Sequence, residues 1–299
     1  MKYLITGFGG QLGYDINREL IERGVDPKNI LTPSEKEMDI TDREKVMEVI
    51  GNFNPDVIFH CAAWTAVDIA EDNKDKVFKI NVDGTKNITD ASIDVNAKLF
   101  YMSTDYVFDG TKPIGEFYSE DDEVNPKNIY GLSKYKGELE VKRNPKHFIN
   151  RISWVFGING NNFIKTMLKL SDTHDELNVV DDQIGSPTYT RDLARLLVDM
   201  SETEKYGTYN STNENYTSWA EFAEYIFKVN NKNVKVNHVS TDEYLEITKS
   251  KQAYRPKNSC LSKEKLIDAG FTLLPTWQDA TKRYSEELEK QKVLVKENK

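Results

Sequence analysis

The feature that most constrains this chain is a glycine-rich turn between a short apolar segment and an amphipathic stretch near the N-terminus. Tyr3-Leu4-Ile5 predicts a strand, and the spacing of apolar residues predicts a helix from about Leu12 to Arg23. Glycine lets the backbone of such a turn approach a pyrophosphate, whose charge is stabilised at the N-terminus of the following helix. Strand, turn and helix in this order predict a dinucleotide-binding turn at the start of a parallel α/β sheet.

The spacing of the glycines is informative in itself. Gly7, Gly10 and Gly13 form the pattern G-x-x-G-x-x-G, whereas the commoner G-x-G-x-x-G pattern fails because position 12 is Leu12. A glycine-rich turn without a ligand is the alternative interpretation. The preceding strand and the following helix favour the nucleotide site.

Short apolar runs and amphipathic stretches then alternate through the first half of the chain. The predicted elements are a strand at Ile30-Leu31, a helix at Asp42–Ile50, a strand at Val57–Phe59, a helix at Asp75–Val95 and strands at Leu99–Met102 and Phe148–Asn150. Strands separated by helices predict a doubly wound parallel sheet of the Rossmann type.

The pattern loosens in the second half, which we expect to form a smaller C-terminal α/β substrate-binding lobe. After a loop at Gly157–Asn162, helices are predicted at Phe163–Ser171, Arg191–Ser201 and Ser218–Val229, and from Trp277 onward. We place the dinucleotide-binding domain at residues 1–155, with segments near 189–210 returning to it, and the substrate lobe and C-terminal helix at 156–299. The polar end, Glu289–Lys299, is expected to fray.

Composition excludes several classes of protein. Hydrophobic residues make up 38% and charged residues 30% of the 299 positions, as in globular proteins, and no apolar run approaches the roughly 20 residues that span a bilayer. The start of the chain has no secretory pattern, so we expect a cytoplasmic protein without membrane contact. A net charge of −9 without a dense basic cluster argues against nucleic acid as a partner. Cys61 and Cys260 suggest neither a disulfide framework nor a zinc site.

A tyrosine and a lysine are the first candidates for chemistry. Tyr130 and Lys134 lie four residues apart in a predicted helix, Ile129–Val141, and so share one helical face. A nearby ammonium favours the phenolate, so we expect Lys134 to lower the pKa of Tyr130. An exposed helical contact would show the same spacing. Thr104 favours a catalytic role for Tyr130 and Lys134, because it follows a strand at the sheet edge where ligands bind.

The glycine turn, Thr104 and Tyr130-Gly131-Leu132-Ser133-Lys134 occur in the order typical of the extended short-chain dehydrogenase/reductase family, which the chain resembles. Within this family it is most similar to reductases of nucleotide-linked 4-keto sugars. The segments that carry this similarity, which covers most of the chain, are Gly9–Gly13, Met38–Asp42, Cys61–Asp68, Ser103–Gly110, Arg151–Gly157, Asp182–Thr188 and Arg255–Ser259.

The resemblance implies a specific reaction, the reduction of the C4 ketone of dTDP-4-dehydro-L-rhamnose to dTDP-L-rhamnose in the biosynthesis of cell-surface polysaccharide precursors. Hydride would come from a nicotinamide and the proton from Tyr130. Lys134 would hold the nicotinamide ribose and stabilise the tyrosinate, and Thr104 would hydrogen-bond the ketone oxygen.

The resemblance also implies two sets of binding residues. The cofactor set is Gly7, Gly9, Gly10, Gln11, Leu12, Gly13, Asp39, Ile40, Cys61, Ala62, Ala63, Thr65, Asn81, Ser103, Tyr130 and Lys134. The substrate set is Thr65, Val67, Thr104, Asp105, Tyr106, Trp154 and Arg255. Simpler structural roles are the alternatives: Trp154 and Tyr106 as core aromatics, Asp39 as a helix cap, Asn81 as a backbone partner, and Arg255 as part of a turn.

The end of the second predicted strand bears on the choice of cofactor. No carboxylate lies there to hold a ribose 2′-hydroxyl, whereas Ser34 and Lys36 suit a 2′-phosphate. We therefore predict NADPH, with NADH as the alternative. Some relatives bind magnesium at a dimer contact, where Asp15 is the one match that we find, so we predict no metal and leave monomer and homodimer open.

Two other functions fit parts of this pattern. A nucleotide-sugar epimerase or dehydratase of the same fold would share the turn, Tyr130 and Lys134, and Asp105 after Thr104 suits a dehydratase. A non-catalytic regulatory subunit would bind a dinucleotide and a partner protein. The complete set of Thr104, Tyr130 and Lys134 argues against the latter.

Overall fold

The computed structural model describes the backbone of residues 1–297 and the side chains of residues 1–291. Its strands are β1 Tyr3–Thr6, β2 Ile30–Leu31, β3 Val57–His60, β4 Lys98–Thr104, β5 His147–Ile152, β6 Val155–Phe156, β7 Glu176–Val180, β8 Ile184–Gly185, β9 Thr188–Tyr189, β10 Gly207–Asn210, β11 Thr217–Ser218, β12 Lys235–Val239 and β13 Asn258–Ser259. Its α-helices are α1 Gln11–Glu22, α2 Arg43–Phe53, α3 Val67–Ala70, α4 Lys74–Phe78, α5 Thr85–Asp94, α6 Ile129–Val141, α7 Phe163–Leu170, α8 Thr190–Ser201, α9 Trp219–Val229, α10 Thr241–Thr248, α11 Glu264–Asp268 and α12 Trp277–Glu297.

Six parallel strands form the central sheet in the order β10-β5-β4-β3-β1-β2. The chain moves outward from β1 to β2 and then crosses back to β3, so the strand order reverses between β1 and β3. A reversal of this kind opens a crevice at the carboxyl ends of the two strands, where ligands bind in doubly wound sheets. Thr6 pairs with His60 at this point.

Helices cover both faces of the sheet, because successive strand residues point to opposite sides. Ile5, Phe59 and Phe100 pack on one side with α1 and α8, whereas Leu4, Ile58 and Leu99 pack on the other side with α2 and α5. Both faces are therefore buried, and the predicted doubly wound α/β sheet is confirmed.

The second half of the chain contributes to both lobes. A separate core contains Phe156, Tyr189, Phe222, Trp277 and Tyr284, surrounded by small sheets formed by β11-β8-β13, β12-β7 and β6-β9. However, α8 packs on α1 and β10 pairs with β5, so residues 190–210 complete the first lobe. The numerical domain limits given above stay a prediction.

Two predictions of helices need correction. The helix predicted over Asp75–Val95 is α4 and α5 joined by a π-helical turn at Lys79–Gly84. The last helix continues to Glu297, so the predicted fraying is wrong as far as that residue, and residues 298–299 lie outside the described part. Among the described helices, none is long and apolar enough to cross a membrane.

Candidate active site

A cavity of about 1050 Å³ opens at the carboxyl ends of the central strands, between the two lobes. Thr104, Tyr130 and Lys134 line it together, beside the glycine turn. The other predicted site residues on its wall are Gly7, Gly9, Gly10, Gln11, Leu12, Gly13, Asp39, Ile40, Cys61, Ala62, Ala63, Thr65, Val67, Ser103, Asp105, Tyr106 and Trp154. The structure therefore brings most of the predicted site to one place.

The glycine turn is tight because its backbone folds back on itself. Gly7 has a φ of +69°, and its carbonyl accepts a hydrogen bond of 2.9 Å from the Gly10 amide. A Cβ at Gly13 would lie 2.6 Å from the Gly7 carbonyl oxygen, and a Cβ at Gly7 would lie 2.7 Å from the Ala62 amide nitrogen. A side chain at Gly7 would therefore separate the turn from the end of β3, and a side chain at Gly13 would separate α1 from the turn.

Polar side chains join the ends of β1 and β3 directly below this turn. The Thr6 hydroxyl accepts a hydrogen bond from the Ala62 amide (3.1 Å) and pairs with Nδ1 of His60 (2.8 Å). Nε2 of His60 pairs with the Thr85 hydroxyl at 3.0 Å. Burial, together with the nearby Lys134, lowers the pKa of His60 to about 3, so the imidazole is neutral at physiological pH. The loop beginning at Ala62 is therefore anchored to the sheet without a buried charge.

The second lobe fastens the glycine turn from outside through the loop after β6. The Gln11 side-chain oxygen accepts hydrogen bonds from the Gly157 amide (2.8 Å) and from the Asn162 side chain (3.1 Å). Asn159 donates to the Gly9 carbonyl at 2.9 Å. The sequence predicted a loop at Gly157–Asn162 but gave no indication that it contacts the turn.

The start of α6 places Tyr130 beside Thr104. The Asn128 side chain caps the helix by accepting a hydrogen bond of 2.6 Å from the Gly131 amide. A Cβ at Gly131 would lie only 2.2 Å from the Tyr106 carbonyl oxygen, so glycine permits the close contact between α6 and the turn after β4. Tyr106 and Tyr130 meet edge to face, with ring centroids 6.0 Å apart.

The pKa values correct the expectation for the tyrosine. Burial raises the pKa of Tyr130 and the Asp105 carboxylate raises it further, whereas a hydrogen bond with Thr104 acts in the opposite direction. The expected lowering by Lys134 is therefore wrong for the free protein, and Tyr130 is a neutral phenol. Burial also lowers the pKa of Lys134 to about 7, with its Nζ 4.1 Å from the centroid of the Tyr101 ring.

Asp105 adds a second titratable group to this wall of the cavity. Its Oδ1 accepts a hydrogen bond of 3.1 Å from the Thr104 hydroxyl. Burial raises the pKa of Asp105 to about 6, although hydrogen bonds from Ser259 and Thr104 oppose the rise. The Thr104 hydroxyl is thus held between a carboxyl group and the Tyr130 phenol.

Trp154 is fixed in the cavity wall from two sides. It has a φ of +48°, which is unusual for a residue with a side chain. Its ring stacks on Trp219, with centroids 3.6 Å apart, and a Cβ at Gly185 would lie 2.8 Å from it. Trp219, the first residue of α9, also lines the cavity, and the sequence analysis did not identify it.

The sequence model of the family described as the RmlD substrate binding domain matches residues 1–290. The chain belongs to this family. It is 41% identical over 295 residues to the dTDP-4-dehydrorhamnose reductase of Aggregatibacter actinomycetemcomitans, an alignment that covers 94% of this chain and 97% of that protein.

Solved structures agree with this assignment. A dTDP-4-dehydrorhamnose reductase from Clostridium acetobutylicum is similar with a TM-score of 0.91 at 40% identity, covering 97% of this chain and 100% of that one. The enzyme from Bacillus anthracis, solved in complex with NADP, has a TM-score of 0.89 at 43% identity, covering 96% and 100%. The predicted membership of the extended short-chain dehydrogenase/reductases is confirmed.

Two of the predicted site residues do not line the cavity in this RmlD-family chain. Asn81, in the π-helical turn, accepts a hydrogen bond from the Trp64 amide (2.8 Å) and donates to the Ser133 hydroxyl (2.9 Å). Arg255 forms a two-pronged ion pair with Asp68 at 2.8 and 2.9 Å. Asn81 therefore supports the loop after β3, which is the simpler alternative given above, and the Arg255 guanidinium is engaged with Asp68.

The adenine side of the site also differs in detail from the prediction. Ser34 and Glu35 line the cavity, whereas Lys36 is exposed and lies outside its wall. Asp39 lies on the wall but uses Oδ1 to accept hydrogen bonds from the amide and hydroxyl of Thr41, at 2.8 and 2.9 Å. Of the two residues predicted to suit a 2′-phosphate, Ser34 is therefore the one that lines the cavity, where its hydroxyl donates to Glu37 at 2.7 Å.

Proposed function

We propose that this protein catalyses the NADPH-dependent reduction of the C4 ketone of dTDP-4-dehydro-L-rhamnose to dTDP-L-rhamnose. The observation that carries the proposal is the meeting of Thr104, Tyr130 and Lys134 with the glycine turn on one cavity wall. Membership of the RmlD family and 41% identity to a dTDP-4-dehydrorhamnose reductase support the substrate, and the NADP complex of the Bacillus anthracis relative supports the cofactor.

The glycine turn fits a dinucleotide. The contacts that a side chain would make at Gly13 show that the turn is held close to α1, whose N-terminus suits a pyrophosphate. In this proposal Asp39 and Ile40 flank the adenine, and Ala62, Ala63 and Thr65 follow the cofactor along the end of β3. When bound, NADPH supplies the hydride for C4 of the sugar.

The chain itself supplies the proton and orients the ketone. Tyr130 donates its phenolic proton to the oxygen at C4 as negative charge develops there, and the product is a hydroxyl group. The raised pKa keeps the phenol protonated at neutral pH, which is the form that this step requires. Thr104 turns its hydroxyl from Asp105 to donate a hydrogen bond to the same oxygen, and Lys134 holds the ribose beside it.

The sugar is held by residues around this centre. Thr65, Val67, Asp105 and Tyr106 approach from the sheet, and Trp154 approaches from the other side with its ring fixed on Trp219. Arg255 would have to leave Asp68 to reach a phosphate of the nucleotide.

Loss of NADPH absorbance tests the reaction. Purified protein with NADPH and dTDP-4-dehydro-L-rhamnose should oxidise one NADPH for each sugar reduced. Tyr130→Phe should lower kcat by about 10²–10⁴-fold because it removes the proton donor, and it should change the Kd for NADPH far less than kcat. The matched control is Tyr216→Phe at an exposed tyrosine, which should leave kcat unchanged.

The same assay separates the alternatives. Turnover of a nucleotide sugar without net oxidation of NADPH would indicate an epimerase or a dehydratase. Full activity in Tyr130→Phe would refute the assigned proton donor. NADPH binding without any turnover would support a regulatory subunit. Comparing kcat/KM for NADPH and NADH settles the cofactor preference.

The setting of the enzyme belongs to the same proposal. We place it in the cytoplasm as a monomer or homodimer that acts on a small nucleotide sugar, without nucleic acid, membrane or metal. Light scattering coupled to size-exclusion chromatography measures the oligomeric state. Turnover that persists in the presence of a chelator supports the expectation that no metal is needed.

A further inference from the structure

A buried carboxylate lies one helical turn after the catalytic lysine. Glu138 follows Lys134 by four residues on α6, so both side chains lie on the same helical face. Glu138 is 0% exposed and Lys134 is 3% exposed. Charged side chains are rarely buried this completely unless each one has a partner.

Hydrogen bonds from two neighbouring strands fix this carboxylate. Arg151, on β5, donates from Nε to Oε1 at 3.0 Å and from Nη2 to Oε2 at 2.9 Å. The Ser103 hydroxyl, at the end of β4, donates to Oε1 at 2.5 Å. Nη1 of Arg151 is held by the Glu120 carbonyl at 3.1 Å. The two-pronged pairing with a guanidinium leaves the carboxylate few alternative positions.

Four other titratable groups around Lys134 are neutral, whereas the Asp105 carboxylate on the same cavity wall acts on Tyr130. His60 at the end of β3 is neutral because burial lowers its pKa to about 3, and burial raises the pKa of Cys61 to about 12. Burial likewise keeps Tyr101 on β4 and Tyr130 on α6 as phenols by raising their pKa values. Glu138 is thus the negative charge that favours the ammonium form of Lys134, against the burial that lowers the pKa of this lysine to about 7.

We propose that Glu138, clamped by Arg151 and Ser103, is a positioning residue that keeps Lys134 charged although this lysine is almost completely buried. The inference rests on the proposed function, because the lysine ammonium matters only if it holds the nicotinamide ribose beside Tyr130. In this proposal Arg151 and Ser103 support α6 by fixing the Glu138 carboxylate. It also commits the Ser103 hydroxyl to Glu138, so Ser103 contributes its backbone to the cofactor side.

The pH profile of kcat/KM for NADPH tests this role, because it reports groups of the free enzyme. Glu138→Gln removes the negative charge and leaves the Arg151 cation unpaired, and both changes disfavour a second cation at Lys134. The alkaline limb should move toward acid by about one pH unit or more. The loss should then be about tenfold near pH 8 and much smaller near pH 6.

Two companion variants separate charge from shape. Glu138→Asp keeps the negative charge, so its alkaline limb should stay near the wild-type position even if its stability falls. The double variant Glu138→Gln with Arg151→Met removes both buried charges, which protects folding. It should still show a shift toward acid, smaller than that of the single variant because the unpaired Arg151 cation is gone, and it replaces the single variant if that one does not fold.

The outcomes are decisive for each proposal separately. A profile of Glu138→Gln or the double variant that is lowered equally at every pH indicates a structural role and overturns the inference, as does a profile identical to the wild type. Fluorescence titration of NADPH against pH gives a readout that does not need turnover. The proposed function fails if the wild type reduces no sugar. If the pH dependence of NADPH binding is nevertheless shifted in Glu138→Gln relative to the wild type, the inference about Glu138 stands.

Discussion

Gly13→Ala is the sharpest test of the dinucleotide turn, because the substitution adds one methyl group at a site with no free space. Its Cβ would lie 2.6 Å from the Gly7 carbonyl oxygen and 2.9 Å from the Phe8 Cα. Ordinary van der Waals contact begins at 3.4 Å, so the backbone of α1 must move away from the turn by 3.4 − 2.6 = 0.8 Å. Both contacted atoms belong to the backbone and cannot rotate aside.

The size of the effect follows from two opposing changes. Alanine stabilises a helix relative to glycine by up to about 1 kcal/mol, whereas overpacking of this kind costs about 1–3 kcal/mol. The unfolding free energy should therefore fall by about 0–2 kcal/mol. Losing one backbone hydrogen bond to a charged phosphate costs about 1.5–3 kcal/mol, which corresponds to a rise in the Kd for NADPH of about 10–100-fold.

Gly51→Ala is the matched control, because Gly51 also lies in a helix but a Cβ there meets nothing within 4 Å. This control should gain up to about 1 kcal/mol and bind NADPH as the wild type does. Urea unfolding measures stability, and fluorescence titration measures the Kd. If Gly13→Ala matches Gly51→Ala in both measurements, the turn does not hold the helix as closely as described, and the cofactor argument based on it fails.

Three further predictions concern the rest of the cavity and its surroundings. Gly185→Ala places a methyl group 2.8 Å from the Trp154 ring and so displaces this ring. The KM for the sugar should rise about tenfold, a loss of about 1.4 kcal/mol, while NADPH binding should not change. A wild-type KM would contradict a substrate role for Trp154. Burial raises the pKa of Asp15 to about 6, from about 3.9 in the unfolded chain. Protonation of this carboxyl therefore stabilises the folded state fully below about pH 4, and this stabilisation is lost as the pH rises through 6. Asp15→Asn should therefore gain about 2–3 kcal/mol relative to the wild type between pH 4 and pH 7 in urea unfolding, and a constant difference would refute the shift. In the proposed complex Arg255 turns from Asp68 to a phosphate of the nucleotide. Arg255→Ala should then raise the KM for the sugar by about 10–100-fold, whereas Asp68→Asn should not raise it. Equal effects of the two variants would indicate a structural role for the ion pair.

Much of the fold was predictable because its signals are local. The strand before Gly7, the helix after it and the spacing of Tyr130 and Lys134 each depend on a few consecutive residues. Parallel strands then bring their carboxyl ends to one edge, so Thr104 and the turn meet without any long-range information. These features are the ones that the sequence analysis placed correctly in space.

The parts that were missed depend on contacts between distant residues. Arg255 is drawn to Asp68, which lies 187 positions away, and no local pattern reveals that partner. Trp219 reaches the cavity only because the second lobe folds over the first. The pKa of Tyr130 depends on burial and on Asp105, so the spacing of Lys134 alone predicted the wrong direction.

The late return of the chain to the central sheet has a consequence for how the protein is made. β10 covers the outer edge of β5, and α8 covers the apolar face of α1, yet both follow residues 156–189 of the second lobe. A nascent chain that ends at residue 155 would expose an unpaired edge strand and the apolar side of α1, both of which promote aggregation during synthesis. A chimera that exchanges substrate lobes between relatives must therefore keep residues 190–210 with the N-terminal half.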